Sequence, residues 1–211
     1  MDTAVTEKAL ATEANKSVIV SSVRRILEVG TKPKIWSGEK IKGAIVPNDV
    51  GDTYAAYYHD EDLGVSILAV KDRRGKDLCS RSMMVASSKL DGEEVVKITG
   101  DISTKPAVEG WGMGSALMSC TNEQVSRIAR DMRVADGTKF LYMVTDNARG
   151  AGSDKKRLGW TSSMMQRLGF TNDYEVVVRA AVGSGEALSE EEARRTWVRV
   201  YQYDSKRQGV K

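Results

Sequence analysis

Few groups in these 211 residues are equipped for chemistry, and the densest cluster of them carries no functional side chain at all. Three glycines alternate at Gly110, Gly112 and Gly114, after an extended run over 94–104 and ahead of Ser115-Ala116-Leu117-Met118. The run reads as a strand, Pro106 sits in the link, and the residues beyond the glycines open an amphipathic helix. Without Cβ atoms, several backbone N–H groups can turn toward one anion, and a helix start adds the positive end of its dipole. Residues 110–115 (Gly110, Trp111, Gly112, Met113, Gly114, Ser115) are therefore expected to hold a phosphate-bearing ligand. A tight turn that needs positive φ is the plainer use of the same glycines.

The remaining candidates are scattered. His59 is the single histidine, so neither a His-rich metal site nor a Ser-His-Asp triad is supported, and no metal is expected. A lone histidine closing a tyrosine run also suits a structural or exposed position. Asp101, Glu93 and Glu94 lie on the strand before the glycines, where a solvent-facing carboxylate is the ordinary finding. Tyr142 falls in mid-strand and reads as core. Ser162 and Ser163, near a helix start, could orient a water or simply be solvated. Cys79 and Cys120 have no ligand spacing, and Cys120 falls on the partly polar side of its helix. Tyr57 and Tyr58, followed by Asp60, Glu61 and Asp62, could line a pocket for a cationic amine; a strand end with a solvated acidic loop is the simpler account.

The elements that must position these residues follow from periodicity. Ile19, Val20, Val23, Ile26 and Leu27 have helical spacing, with Asn15 as a cap and Gly30 at the end. Residues 31–52 mix Pro, Gly and Lys and read as a connection with at most one short helix around 38–45. Strands are expected at 53–59, 65–71, 78–87 and 94–104, with hairpin turns centred on Gly75 and on Asp91-Gly92. After the glycines, Leu117, Met118, Val125, Ile128, Ala129 and Met132 share a third of one helical wheel, and Glu123, Arg127, Arg130 and Asp131 fall opposite. A buried strand at 139–145, a polar loop at 146–157, a helix at about 160–168 and two strands at 174–182 and 196–203 complete the reading. Ser189 and Glu192 form a capping box between the last two.

Composition bounds the class. With 41% apolar and 29% charged residues and 3 prolines, the chain should fold, and its length has room for one full core and an added subdomain. The formal net charge of +3 permits an anionic partner without demanding one; the basic groups Arg73-Arg74, Lys155–Arg157 and Lys206-Arg207 are dispersed, so nucleic acid is not favoured. No secretory leader and no apolar run near the roughly 20 residues of a membrane span predict a reduced, cytoplasmic protein without membrane contact. The expected organisation is an N-terminal helical extension over 1–52, an α/β domain over 53–204 and a basic tail over 205–211.

GWGMGS nearly satisfies a dinucleotide fingerprint, yet Lys105–Glu109 separate it from its strand and hairpins surround it, which argues against that fold. Residues 104–117, TKPAVEGWGMGSAL, instead resemble the V-x-P-x-y-R-G-x-G-I-G-x-x-L stretch of the GCN5-related N-acetyltransferase (GNAT) superfamily. Pro106, Gly110, Gly112, Gly114, Ser115, Ala116 and Leu117 are in register. MQRLGF at 165–170 is similar to that family's Y-E-K-L-G-F ending, so the resemblance spans about 65–203. It implies a mixed α/β fold whose mostly antiparallel central sheet is splayed and flanked by helices. It further implies acetyl-CoA as cofactor, with backbone groups of Ile102, Ser103 and Thr104 toward the pantetheine and acetyl group, N–H groups of 110–115 on the pyrophosphate, and Asn147 or its loop nearby. The activity implied is transfer of an acetyl group to the primary amine of an acceptor whose class is open, with Asp101 or His59 as base and a homodimer permitted.

Two departures from the pattern carry weight. Glu109 stands where the family has Arg or Gln, and Lys105, Lys155, Lys156 or Arg157 would have to compensate. Met165 stands at the frequent catalytic Tyr position, and a thioether cannot protonate a departing thiolate. A catalytically retired domain that binds CoA or a partner, and a nucleotide-binding module using the glycine turn alone, are the alternatives.

Overall fold

The two hairpin turns form as their residues demand. Gly75, at φ +80°, joins the strands Val65–Asp72 and Asp77–Leu90, and Asp91 and Gly92, at φ +51° and +84°, join the second of these to Glu93–Thr104. In this computed structural model the described residues are 16–27, 34–36, 39–46, 53–60, 63–145 and 162–206. The elements are α1 (16–27), β1 (Lys34–Trp36), β2 (Glu39–Val46), β3 (Thr53–Asp60), β4 (Val65–Asp72), β5 (Asp77–Leu90), β6 (Glu93–Thr104), α2 (Met113–Ser119), α3 (Thr121–Asp131), β7 (Lys139–Thr145), α4 (162–167), α5 (Tyr174–Gly183), α6 (Glu190–Arg195) and β8 (Thr196–Gln202). This is a mixed α/β fold with a mostly antiparallel sheet. Its strands lie in the order β1-β2-β3-β4-β5-β6-β7-β8. The β6–β7 pair is parallel, as a crossover through α2 and α3 requires.

The chain divides into two compact units, Met1–Ser82 with Asp101–Met132 and Met83–Gly100 with Arg133–Lys211. In the first, Ile19, Val23, Ile26 and Leu27 of α1 are fully buried in one cluster with Tyr57, Leu68, Val70, Cys79, Met113, Leu117 and Cys120. The helical spacing read from the sequence is thus the core face of α1; Asn15 and Gly30 lie outside the described residues. In the second unit, Val95, Leu141, Met143 and Val198 of the strands pack with Val177, Ala180 and Ala181 of α5 and Ala193 of α6.

Three expectations are corrected. Residues 34–36 and 39–46 are strands rather than a connection with a short helix, β2 being laddered to β3 from Lys42↔Tyr57 to Val46↔Thr53. Their mixed composition hides a strand whose order comes from its neighbour. The helix after the glycines is two helices, broken at Cys120 (φ −96°, ψ 22°). The Thr121 hydroxyl donates to the Met118 carbonyl there, the local competition by which Ser and Thr interrupt helices. Residues 174–183 are helical, not extended. Asp173 caps α5 by accepting from the Glu175 and Val176 N–H groups, and Val177, Ala180 and Ala181 reach the core at i, i+3, i+4 spacing.

Candidate functional site

The glycine turn grows out of the end of β6 within the first unit. Lys105 N–H donates to the Leu78 carbonyl at 2.9 Å, a 3-10 turn follows at Pro106–Val108, and Trp111 N–H donates to the Val108 carbonyl at 3.3 Å. Gly110 and Gly112 both have φ near +80°, a conformation costly for any residue with a Cβ. Gly114 differs from these two, with no positive φ. A Cβ there would lie 3.4 Å from Thr104 Oγ1 and 3.8 Å from Ile102 Cδ1, ordinary contact distances, so the first turn of α2 packs on the end of β6 without the space itself demanding a glycine.

Gly112 is the N-cap of α2 and supplies no side-chain cap, and no acidic residue stands in the first turn. The first intrahelical bond runs from Ala116 N–H to the Gly112 carbonyl at 2.9 Å. The N–H groups of Met113, Gly114 and Ser115 therefore precede any intrahelical acceptor, and they sit at the positive end of the helix. Met113 is buried and contributes only its backbone, while Trp111 packs against the apolar cluster. Such a turn fits a phosphate: small residues, unspent donors and a helix start coincide.

The end of β6 is held from the side by Cys79 of β5, whose Sγ lies 3.2 Å from Thr104 Oγ1. Ile102 leans on the apolar cluster, Ser103 is exposed, and Asp101 is exposed with its Oδ1 accepting from the Ile102 N–H at 2.8 Å. His59 is half-buried on β3 opposite Ser66 of β4. Since β4 and β5 stand between β3 and β6, the strands of His59 and Asp101 are three spacings, about 14 Å, apart. The two are alternatives as a base, not a pair. Asn147 and the loop Lys155–Arg157 lie outside the described residues.

Several sequence candidates prove to be structural. Tyr57 is buried, donates to Asp131 Oδ2 at 3.0 Å and carries the Arg127 guanidinium 5.6 Å above its ring, so it does not line a pocket with Tyr58. Burial pushes its phenol well above the usual range. Tyr58 donates to Asp60, which also caps the Leu63 N–H. Arg127, expected on the solvent face of its helix, is buried against Asp131. Cys120 is buried rather than half-polar, and burial pushes its thiol up to about 12, which removes it as a nucleophile. Ser163 accepts from Arg167 on α4.

In the second unit, Met165 is 3% exposed and its carbonyl accepts from the Phe170 N–H at 3.0 Å. Phe170 meets the Tyr142 ring edge-on at 5.1 Å. The MQRLGF stretch thus closes α4 through Gly169 (φ +79°) and packs onto β7. The β6–β7 ladder pairs Val96–Thr99 with Phe140–Met143 and ends at the residue before Gly100. Sequence reasoning missed Gly100 and also the packing roles of Cys79, read only as lacking ligand spacing, and of the buried Arg81. The last two were legible, because Cys79, Arg81 and Met83 share the inward parity of β5.

No helix among the described residues is long and apolar enough to cross a membrane. No family model and no curated protein matches the chain. Among solved structures it is similar to AtaT complexed with acetyl-methionyl-tRNAfMet, at 10% identity and a TM-score of 0.39, over 65% of this chain and 72% of that one.

Proposed function

We propose that the chain is an N-acetyltransferase of GNAT type, moving an acetyl group from acetyl-CoA to a primary amine by direct attack in a ternary complex. The observation that carries this reading is the start of α2: a left-handed glycine cap without a side chain, opening onto three N–H groups with no intrahelical acceptor. When bound, acetyl-CoA would supply an activated acyl thioester. Backbone N–H groups from Gly112 to Ser115 bind its pyrophosphate, and the backbone of Ile102, Ser103 and Thr104 aligns its arm. Asp101, exposed at the start of that segment, takes the proton from the acceptor ammonium. His59 is the alternative base.

Calorimetry with CoA tests this, with Gly112→Asp as the control. A carboxylate and a strained φ at that position should abolish CoA binding; unchanged affinity would remove residues 110–115 from the site. Asp101→Asn, assayed on an amine panel, should slow turnover with CoA affinity unaltered, and an unaltered pH–rate profile would reject Asp101 as the base. The burial of Met165, where the resemblance places a tyrosine, favours a second reading in which the domain binds CoA without catalysing transfer. CoA retained by the purified protein, with no turnover on any amine, would decide for it.

A further inference from the structure

We propose that the first unit encloses a binding site for one internal water, which lies between α3 and the β3–β4 pair and bridges Gln124 to His59. Gln124 is fully buried, and its Nε2 donates to Ser66 Oγ at 3.1 Å. The Oε1 of the same amide is shut off from solvent and finds no donor among the described residues. A buried amide oxygen in that state has lost its hydration with nothing in return. Native interiors satisfy such atoms with a protein group or with a bound water.

The groups around it are already engaged with one another. Gln124, Arg127 and Asp131 stand at i, i+3 and i+7 on the stripe of α3 that meets the sheet. Arg127 pairs with Asp131, and Asp131 also accepts from the Tyr57 hydroxyl. Ser66, fully buried like Gln124, hydrogen-bonds to that phenol as well as accepting from Gln124 Nε2. The two charges of this layer cancel within it, so the place beside Gln124 is polar and neutral. An ion there would have no counter-charge, whereas water can donate and accept.

His59 supplies the other side. It pairs with Ser66 across the β3–β4 ladder, so both side chains leave the sheet on one face with Cβ atoms about 5 Å apart. Both imidazole nitrogens are buried. A neutral imidazole offers one donor and one acceptor, so either nitrogen can meet a water that gives a hydrogen to Gln124 Oε1.

Oxygen-17 relaxation dispersion counts long-lived internal waters in the full chain, and a crystal structure locates them. Wild type is compared with Gln124→Met, which keeps the side chain's length without the amide, with His59→Leu, and with the double variant. Each single variant should lose one long-lived water, and the double variant should lose no more than either. The wild-type crystal should show that water within hydrogen-bonding distance of Gln124 Oε1 and an imidazole nitrogen. An unchanged count in either single variant, or a second water lost in the double, would overturn the site. So would a wild-type crystal without the bridging water, with Gln124 Oε1 accepting from the Ser66 hydroxyl instead. That crystal decides by itself should the variants not fold.

Discussion

Gly100 has a tyrosine where its side chain would be. A Cβ built there would stand 2.2 Å from Tyr142 Oη and 2.9 Å from its Cε2, one residue beyond the last pair of the β6–β7 ladder. Tyr142 is itself 3% exposed and pinned by Phe170, so the ring has little room to yield. Gly100→Ala should therefore destabilise the protein by about 1–3 kcal/mol through overpacking. Urea unfolding reads this directly, and an unchanged midpoint would mean that the tyrosine turns aside freely. At this scale the sequence was informative wherever a residue's role is local. Gly110 and Gly112 are glycines because the backbone is left-handed, which their spacing announced. Gly100 is a glycine because a distant tyrosine arrives beside it, and nothing in its sequence neighbours says so.

The helices divide along the same line. The capping box of α6 was legible as Ser189 and Glu192, and both halves of it form, the hydroxyl meeting the Glu192 N–H and the carboxylate meeting the Ser189 N–H. For α5 the run Val176-Val177-Val178 favours a strand, since β-branched residues do, whereas the Asp173 cap favours a helix. The structure resolves the conflict through Asp173 at one end and three buried positions along one face. Asp173→Ala should lower stability by about 1 kcal/mol. Equal melting temperatures for the two proteins would show that packing alone holds the helix. Strands β1 and β2 were missed for the opposite reason: no strong local preference exists there, and pairing with β3 settles the conformation.

At the scale of the whole molecule, three carboxylates among the described residues hold their charge more tightly in the folded chain than in an unfolded one. Asp72 is lowered chiefly by the Lys76 N–H across the β4–β5 turn, Asp136 by the N–H and hydroxyl of Ser205, and Glu192 by Ser189. A carboxyl group whose folded pKa lies below its unfolded value stabilises the fold above the unfolded value. That contribution disappears as pH falls through the folded one. Melting temperature should thus stay level with respect to these groups near neutrality and decline below about pH 4. All three groups face solvent, so each contributes modestly. A melting temperature that rises between pH 5 and pH 3 would contradict their assignment.

From its own letters the chain determined the hairpins at Gly75 and Asp91-Gly92, the core face of α1, the boundaries of β7 and the glycine turn into α2. Each of these is a short-range matter of φ, periodicity or the lack of a Cβ. Only the tertiary structure decided that Tyr57 and Cys120 are interior, that Arg81 stands behind α2, and that 174–183 coils rather than extends. Those outcomes depend on which surface arrives opposite a side chain. Burial and pairing energies of that kind belong to the fold as a whole and outweigh local preference wherever the two disagree.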